Sequence, residues 1–109
     1  MAEDLASMKC EPCRGGIPAL QGERLAALHA QLLGWDVMHE HHLEKTFSFL
    51  SFKDAVAFAV KVAMLAEENG HHPVMEISFK KVKVQYWTHK IDGLHEADFI
   101  MAAKTDRIS

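Results

Sequence analysis

The sequence predicts one α+β domain, in which a four-stranded antiparallel sheet carries about three helices on one face, in the order α-β-β-α-β-β-α. Three observations support this fold. The chain has 109 residues, the length of one domain, and 49% of them are apolar, which is enough for a core. Apolar residues recur at helical spacing in some segments and alternate with polar residues in others. The alternating segments come in neighbouring pairs joined by short polar stretches, as antiparallel strands do.

The first helix is predicted over residues 20–33. Leu25, Leu28 and Leu32 recur there at helical spacing, and Gly34 follows as a stop signal.

A flexible N-terminal arm is expected over residues 1–16, ahead of the single domain at 17–109. The arm is polar, contains Pro12, and closes with a Gly-Gly pair.

The first two strands are predicted in "WDVM" and "LEKTFSFL", on either side of the polar stretch "HEHH". Leu43, Phe47 and Phe49 share one parity, as a half-buried strand requires. His39 to His42 are therefore interpreted as the turn that joins an antiparallel pair.

The second helix has clear start and stop signals. Ser51 can cap its first turn, with Asp54 three residues later, and Gly70 supplies the left-handed residue that ends it. One apolar stripe is predicted along it: Phe52, Val56, Ala59, Ala63 and Ala66.

Two further strands follow, and their predicted register brings two histidines together. With Lys80-Lys81 as a two-residue turn, Phe79 faces Val82, Ile77 faces Val84, and Met75 faces Tyr86, so that all six lie on the core face. The same register places His72 opposite His89, with Cβ atoms about 5 Å apart. A last helix is predicted after Gly93, with Phe99, Met101, Ala102 and Ala103 as its apolar surface.

The segment "EENGHHPVMEI" forms a corner where helix gives way to strand. Glu67 lies one helical turn before His71, so its carboxylate can reach this corner. Several imidazoles beside a carboxylate suit proton transfer or metal binding.

The other histidines, cysteines and tryptophans have plainer interpretations. His29 and His95 are predicted on helix surfaces, and the two tryptophans in the core, at an interface, or as a wall for a flat heterocycle. A metal site that uses "HEHH" with Cys10 and Cys13 is the weaker alternative, because the second half of a zinc-type cysteine pattern is missing.

Charge and composition exclude several classes of function. A formal charge of −3 argues against a nucleic-acid surface, and no segment has the run of about 20 apolar residues that a membrane span needs. Only two cysteines and no secretory signal pattern lead us to expect a reduced, cytoplasmic protein.

Glu67-x-x-x-His71-His72-Pro73, followed by Phe79, His89 and Asp98, resembles the signature of the pterin-4a-carbinolamine dehydratases. The stretches "CRGGIPAL", "LLGWDV", "WTHKIDGL" and "DFIMAAK" extend the resemblance, of the bacterial type, over nearly the whole chain. His95 departs from the family pattern, which usually has Ser or Thr as a helix cap there.

The resemblance implies the α+β fold already described, a homodimer or homotetramer, and no metal or organic cofactor. It also implies a pterin substrate: water is removed from a 4a-hydroxytetrahydropterin to give the quinonoid dihydropterin in tetrahydropterin recycling. The departing hydroxyl must gain a proton and N5 must lose one, which imidazoles do near neutral pH.

By the same resemblance, His71 and His89 are the acid-base pair, and His72 mainly binds and orients the pterin ring. Glu67 holds or polarises the histidines. Two further residues are expected at the substrate: Trp35 along the pocket wall and Asp98 as a support from the last helix.

A binding module is the competing function. In that case the chain is a non-catalytic dimerisation or regulatory partner of an aromatic amino acid hydroxylase or a transcription factor. The resemblance suggests such a role because animal members of the family also act as dimerisation partners of a transcription factor. Such a hydroxylase is also the expected neighbour in the pathway. Self-association is predicted separately, through Trp87 and Val74 opposed on the outer face of the sheet.

Overall fold

A computed structural model describes residues 5–9 and 17–109 and confirms the predicted α+β fold. Its elements are a 3₁₀ turn at Leu5–Ser7, α1 at Gly22–His29, β1 at Asp36–Met38, β2 at His42–Ser48, α2 at Phe52–Asn69, β3 at Val74–Ile77, β4 at Lys81–Tyr86, a 3₁₀ turn at His89–Ile91, and α3 at Glu96–Ile108. The strands form one antiparallel sheet in the order β1-β2-β4-β3. None of the helices in these two segments combines the length and apolar character that crossing a membrane requires.

The core lies between one face of the sheet and the helices α2 and α3. Alternate residues of the two central strands, β2 and β4, point into it, and α3 contributes a nearly continuous buried surface. The fully buried large side chains include Leu43, Val82, Val84, Tyr86, Phe99 and Met101. Burial of these side chains fixes the face of each central strand.

Helix α2 begins and ends where the sequence predicts, but it buries a different face. Ser51 Oγ accepts a hydrogen bond from Asp54 N at 3.1 Å, and Gly70 ends the helix in the left-handed conformation at φ 64°. The buried positions are Ala55, Phe58, Ala59, Val62 and Ala66. The predicted stripe shares only Ala59 and Ala66 with them, and its Phe52 is 51% exposed. Apolar residues surround most of this helix, so their periodicity alone does not select the face that packs.

The register between β3 and β4 differs by two residues from the predicted one. Met75 pairs with Val84 and Ile77 pairs with Val82. The cause is a longer turn: Ser78 N donates to Lys81 O at 2.9 Å, which leaves Phe79 at the tip, 70% exposed. A Lys-Lys two-residue turn would need a positive φ at one or both lysines, which lysine rarely adopts.

The predicted pairing of His72 with His89 is therefore wrong. Strand β3 begins only at Val74, which pairs with Gln85, and His89 lies beyond β4 in a 3₁₀ turn. The shift of two residues preserves the face of every strand residue, because side chains alternate with a period of two.

The N-terminal part departs from prediction in one respect. Helix α1 ends at His29, short of the predicted residue 33, and Gly34 follows with a positive φ of 84°. Within the predicted arm, Leu5 and Ala6 are buried, and Ala6 O accepts a hydrogen bond from Lys104 Nζ of α3 at 3.0 Å. The flexible arm over residues 1–16 stays a prediction.

Gly93 should not tolerate a larger side chain. A Cβ atom placed on Gly93 would lie 2.6 Å from the Cβ of Ala19, in a segment tied down by the Leu20 N to Leu94 O bond of 2.8 Å. We expect Gly93→Ala to lower the free energy of unfolding by about 1–3 kcal/mol in urea denaturation. The double variant Ala19→Gly/Gly93→Ala is the matched control and should recover part of that loss. Equal stability of Gly93→Ala and the unmodified protein would contradict this prediction.

Candidate active site

The buried carboxylate of Asp98, at the start of α3, accepts hydrogen bonds from three donors. Asp98 is 0% exposed, and its Oδ1 accepts from His71 Nε2 at 2.5 Å. Its Oδ2 accepts from Thr88 Oγ1 at 2.8 Å and from the backbone N–H of His95 at 2.9 Å. A carboxylate can only accept when ionised, and the three converging donors give each of its two oxygens at least one hydrogen-bond partner.

His95 caps the same helix. Its Nδ1 accepts from Ala97 N at 3.2 Å, while the carboxylate of Asp98 accepts from its backbone N–H. The imidazole thus takes the capping place that serine or threonine usually holds. His95 and His29 are both half-buried at helix ends, and each makes a contact that the prediction of a helix surface did not include: His95 caps α3, and His29 Nε2 lies 2.6 Å from Trp35 O.

His71 is held between this carboxylate and an aromatic ring. Gly70 turns the chain out of α2, and the His71 side chain, 13% exposed, stacks on Tyr86 with ring centroids 6.2 Å apart and planes 19° apart. Because Nε2 donates to Asp98, a neutral His71 ring carries its lone pair on Nδ1. That nitrogen can accept a proton while the other end of the ring stays anchored.

Glu67 lies at this corner, as expected, but it holds the next histidine. His72 Nε2 donates to Glu67 Oε1 at 2.7 Å, and both side chains are largely exposed. The exposed position of His72 suits contact with a ligand that arrives from solvent.

His89 follows Thr88 directly, so its backbone adjoins the Asp98 cluster. Its ring packs on Trp87 with centroids 4.4 Å apart. Within residues 5–9 and 17–109, neither a hydrogen bond nor a ring contact joins His89 to His72. The structure thus joins His71 to Asp98 and Glu67 to His72, and it places His89 one residue from the Thr88–Asp98 bond.

Trp35 lies in the core. Its ring, 2% exposed, packs against Phe47 and Tyr86 with centroids 6.0 Å away in each case. Its Nε1 donates to the carboxylate oxygens of Asp106 at 3.1 and 3.2 Å. In this arrangement Trp35 packs against Tyr86, and Tyr86 in turn packs against His71. Trp35 itself is buried, so it offers little surface to a substrate.

Two residues of the site escaped prediction, Thr88 and Tyr86. The sequence predicts Tyr86 only as a core residue, but its ring also stacks against the ring of His71. Its hydroxyl donates to Thr105 Oγ1 at 2.9 Å, since Thr105 donates in turn to Met101 O. The position of Thr88 beside His89 in "WTHK" was the one available signal for it.

His39 to His41 of the "HEHH" stretch form the predicted turn, with His39 and Glu40 at positive φ, while His42 is already the first residue of β2. His41 Nδ1 and His42 Nδ1 lie 3.0 Å apart. Among the described residues, no group of three or more His, Cys, Asp or Glu side chains could hold a metal ion. The alternative metal site involving Cys10 and Cys13 falls on residues outside those described.

Comparison with known proteins identifies relatives of the whole domain. The family model described as pterin 4 alpha carbinolamine dehydratase matches residues 18–108. A protein of Rubrobacter xylanophilus, provisionally named pterin-4-alpha-carbinolamine dehydratase, is 48% identical over 96% of this chain and 98% of its own length. A relative of the same provisional name in Alkaliphilus metalliredigens is 46% identical over 95% of each chain.

Two solved structures share the fold. A transcriptional coactivator/pterin dehydratase of Brucella melitensis superposes with a TM-score of 0.76 and 30% identity, over 83% of this chain and 97% of that one. A pterin dehydratase-like protein, identified as a RuBisCO assembly factor in the α-carboxysome, gives a TM-score of 0.60 and 27% identity, over 70% of this chain and 89% of that one.

The stability of the protein should depend on pH through His42. Burial lowers the pKa of His42, and the neighbouring His41 lowers it further, with smaller contributions from His39 and Lys83, against a partial opposing effect of Glu44. The folded state then binds the proton more weakly than the unfolded chain. Stability is greatest above the unfolded pKa of about 6.5 and falls as the pH drops through that value toward the folded pKa.

We therefore expect His42→Gln to lose less stability than the unmodified protein between about pH 7.5 and about pH 5.5. Urea unfolding at each pH measures the difference. His39→Asn is the matched control, because it removes an exposed histidine of the turn that precedes β2 and asparagine tolerates positive φ. The same pH dependence in His42→Gln as in the unmodified protein would count against this cause.

Proposed function

The chain belongs to the pterin 4 alpha carbinolamine dehydratase family, as its motifs indicated, and from this premise we propose that it is an active dehydratase. The reaction is the elimination of water from a 4a-hydroxytetrahydropterin to give the quinonoid dihydropterin, within cytoplasmic tetrahydropterin recycling. It is a hydro-lyase reaction that needs proton transfer and no electron transfer.

The observation that carries this proposal is the pair His71–Asp98. A histidine whose Nε2 is anchored on a buried carboxylate keeps its tautomer and orientation, and its Nδ1 is then available for proton transfer. Asp98 also holds Thr88, and so fixes the backbone just before His89. One carboxylate thereby supports both members of the proposed acid-base pair.

The proposed roles follow the chemistry of the substrate. One of His71 and His89, as imidazolium, gives a proton to the C4a hydroxyl, which leaves as water. The other, as neutral imidazole, accepts the N5 proton, so that the C4a–N5 double bond forms and charge is conserved. His72, which is exposed and oriented by its hydrogen bond to Glu67, binds the pterin ring.

Replacing either acid-base histidine should remove most of the activity. We expect His71→Ala and His89→Ala to lower kcat/KM for dehydration of freshly prepared 4a-hydroxytetrahydropterin by about 10²-fold or more, because a positioned acid or base contributes that much. Asp98→Asn should also lower kcat, since the amide cannot replace the anionic acceptor of His71. His39→Asn, which changes a histidine of the β1–β2 turn, is the control and should stay close to the unmodified rate. Rates of both alanine variants within about threefold of the unmodified protein would overturn the proposed roles.

Self-association is a second proposal, and a different surface supports it from the one predicted. Val74 pairs with Gln85, so it does not oppose Trp87, whose ring packs among histidines. Helix α2 instead exposes Phe52 at 51%, Val60 at 56% and Met64 at 63%. Several large apolar side chains exposed on one helix are typical of a protein interface, and a second copy of the chain is the partner we propose.

The same surface would serve a non-catalytic role. Two structural relatives carry names that include a coactivator or an assembly factor, so binding of a hydroxylase or another partner is the competing function here.

Introducing charge on this surface should dissociate the oligomer. We expect Met64→Glu to sediment as a monomer at micromolar concentration, while the unmodified protein sediments as a dimer or tetramer, because burying a carboxylate without a partner is costly. Leu33→Glu is the control, since Leu33 is 86% exposed and lies outside α2. Monomeric unmodified protein would refute the proposal.

A further inference from the structure

A second group of aromatic and imidazole rings lies at the end of the sheet, beside the candidate active site. His41 lies in the β1–β2 turn and His42 is the first residue of β2, whereas Trp87 directly follows β4 and His89 begins the 3₁₀ turn after it. The centroid of the Trp87 ring lies 5.3 Å from that of His41, 5.8 Å from that of His42 and 4.4 Å from that of His89. Trp87 thus contacts the histidine pair as well as a proposed catalytic histidine.

The hydrogen bonds of the pair specify one arrangement of protons for two neutral rings. His41 Nε2 donates to Asp92 Oδ1 at 2.8 Å, so His41 Nδ1 carries a lone pair. That lone pair can accept from His42 Nδ1, 3.0 Å away. His42 Nε2 is then an acceptor, and Gln85 Nε2, which donates to Glu44 Oε1 at 2.7 Å, lies 3.5 Å from it. Each partner orients the next ring, as outer residues do around a catalytic histidine.

The loop that carries His89 is attached on two sides. On the inner side Thr88 donates to the buried Asp98, and its backbone pairs with Gly93. On the outer side Asp92, whose N–H donates to His89 O at 3.2 Å, binds His41. The inner attachment fixes the backbone before His89, and the outer one fixes the backbone after it.

We propose that Trp87 is a positioning residue for His89, an inference that rests on the proposed dehydratase function. His41 is a second positioning residue, because it holds Asp92 and packs on Trp87. Neither residue needs to touch the substrate. The β1–β2 turn, which contributes nothing to the acid-base pair, thereby sets the orientation of the His89 ring.

The position of the His89 ring can be measured without any assay of activity. A proton above the face of an indole resonates upfield, so the ring protons of His89 should be shifted upfield in NMR spectra of histidine-labelled protein; the His89→Gln spectrum assigns them. We expect His41→Ala to move these resonances toward the values of a free histidine, and His39→Asn, a change in the same turn, to leave them in place. Asp92→Gly removes the same contact from the other side and suits the positive φ of 47° at that position.

The kinetic measurement separates positioning from substrate binding. We expect Trp87→Leu and His41→Ala to lower kcat about tenfold, with KM within about twofold, because misplacement of a catalytic group affects the chemical step. Trp87→Phe should retain most of the activity, since it keeps an aromatic face against His89.

The outcomes distinguish this inference from the proposed function. Unchanged His89 resonances and unchanged kcat in His41→Ala, Asp92→Gly and Trp87→Leu would overturn the inference and leave the dehydratase intact. An unmodified protein without dehydratase activity would refute the function, and the NMR shifts would still decide whether Trp87 and His41 position His89. If Trp87→Leu does not fold, the comparison of Trp87→Phe with His41→Ala carries the test.

Discussion

The carboxylate of Asp98 is fully buried, and it accepts hydrogen bonds from three segments that are distant along the chain or belong to different elements. His71 comes from the corner between α2 and β3, Thr88 from the segment that follows β4, and the His95 backbone from the N-cap of α3. A buried carboxylate that lost one donor would be left partly unsatisfied, which is costly. The three segments are therefore held at one point, and the same contacts that close the fold also build the site.

Support for this point extends into the core. Tyr86 presents its ring to His71 and anchors its hydroxyl on Thr105, and Trp35 packs behind it with its indole N–H on Asp106. These rings lie on the helix-covered face of the sheet. Trp87, one residue further along, lies on the opposite face, because successive strand residues alternate. Two successive residues, at the end of β4 and just after it, thus contact the two histidines. The buried Tyr86 packs against His71, and the more exposed Trp87 packs against His89.

The periodicity of strands and helices explains which structural predictions were confirmed and which were wrong. An error of two residues in the β3–β4 register left Val82, Val84 and Tyr86 on the core face, because the period of a strand is two. The same error removed the pairing of His72 with His89, which depended on absolute register. In α2 the caps were correct, since Ser51 and Gly70 act locally. The buried face was rotated, because the choice between Ala55 and Phe52 depends on what the helix packs against.

The order of elements, the caps of α2, the turn at "HEHH" and the family motif were determined by the sequence itself, since each depends on neighbours within a few residues or on a pattern of residue types. The partner of each ionisable side chain was decided only by the tertiary structure. Glu67 and Asp98 are both carboxylates within plausible reach of the two adjacent histidines, and the sequence does not say which imidazole meets which. The choice follows from packing: α3 brings Asp98 beneath His71, while Glu67 and His72 remain at the surface.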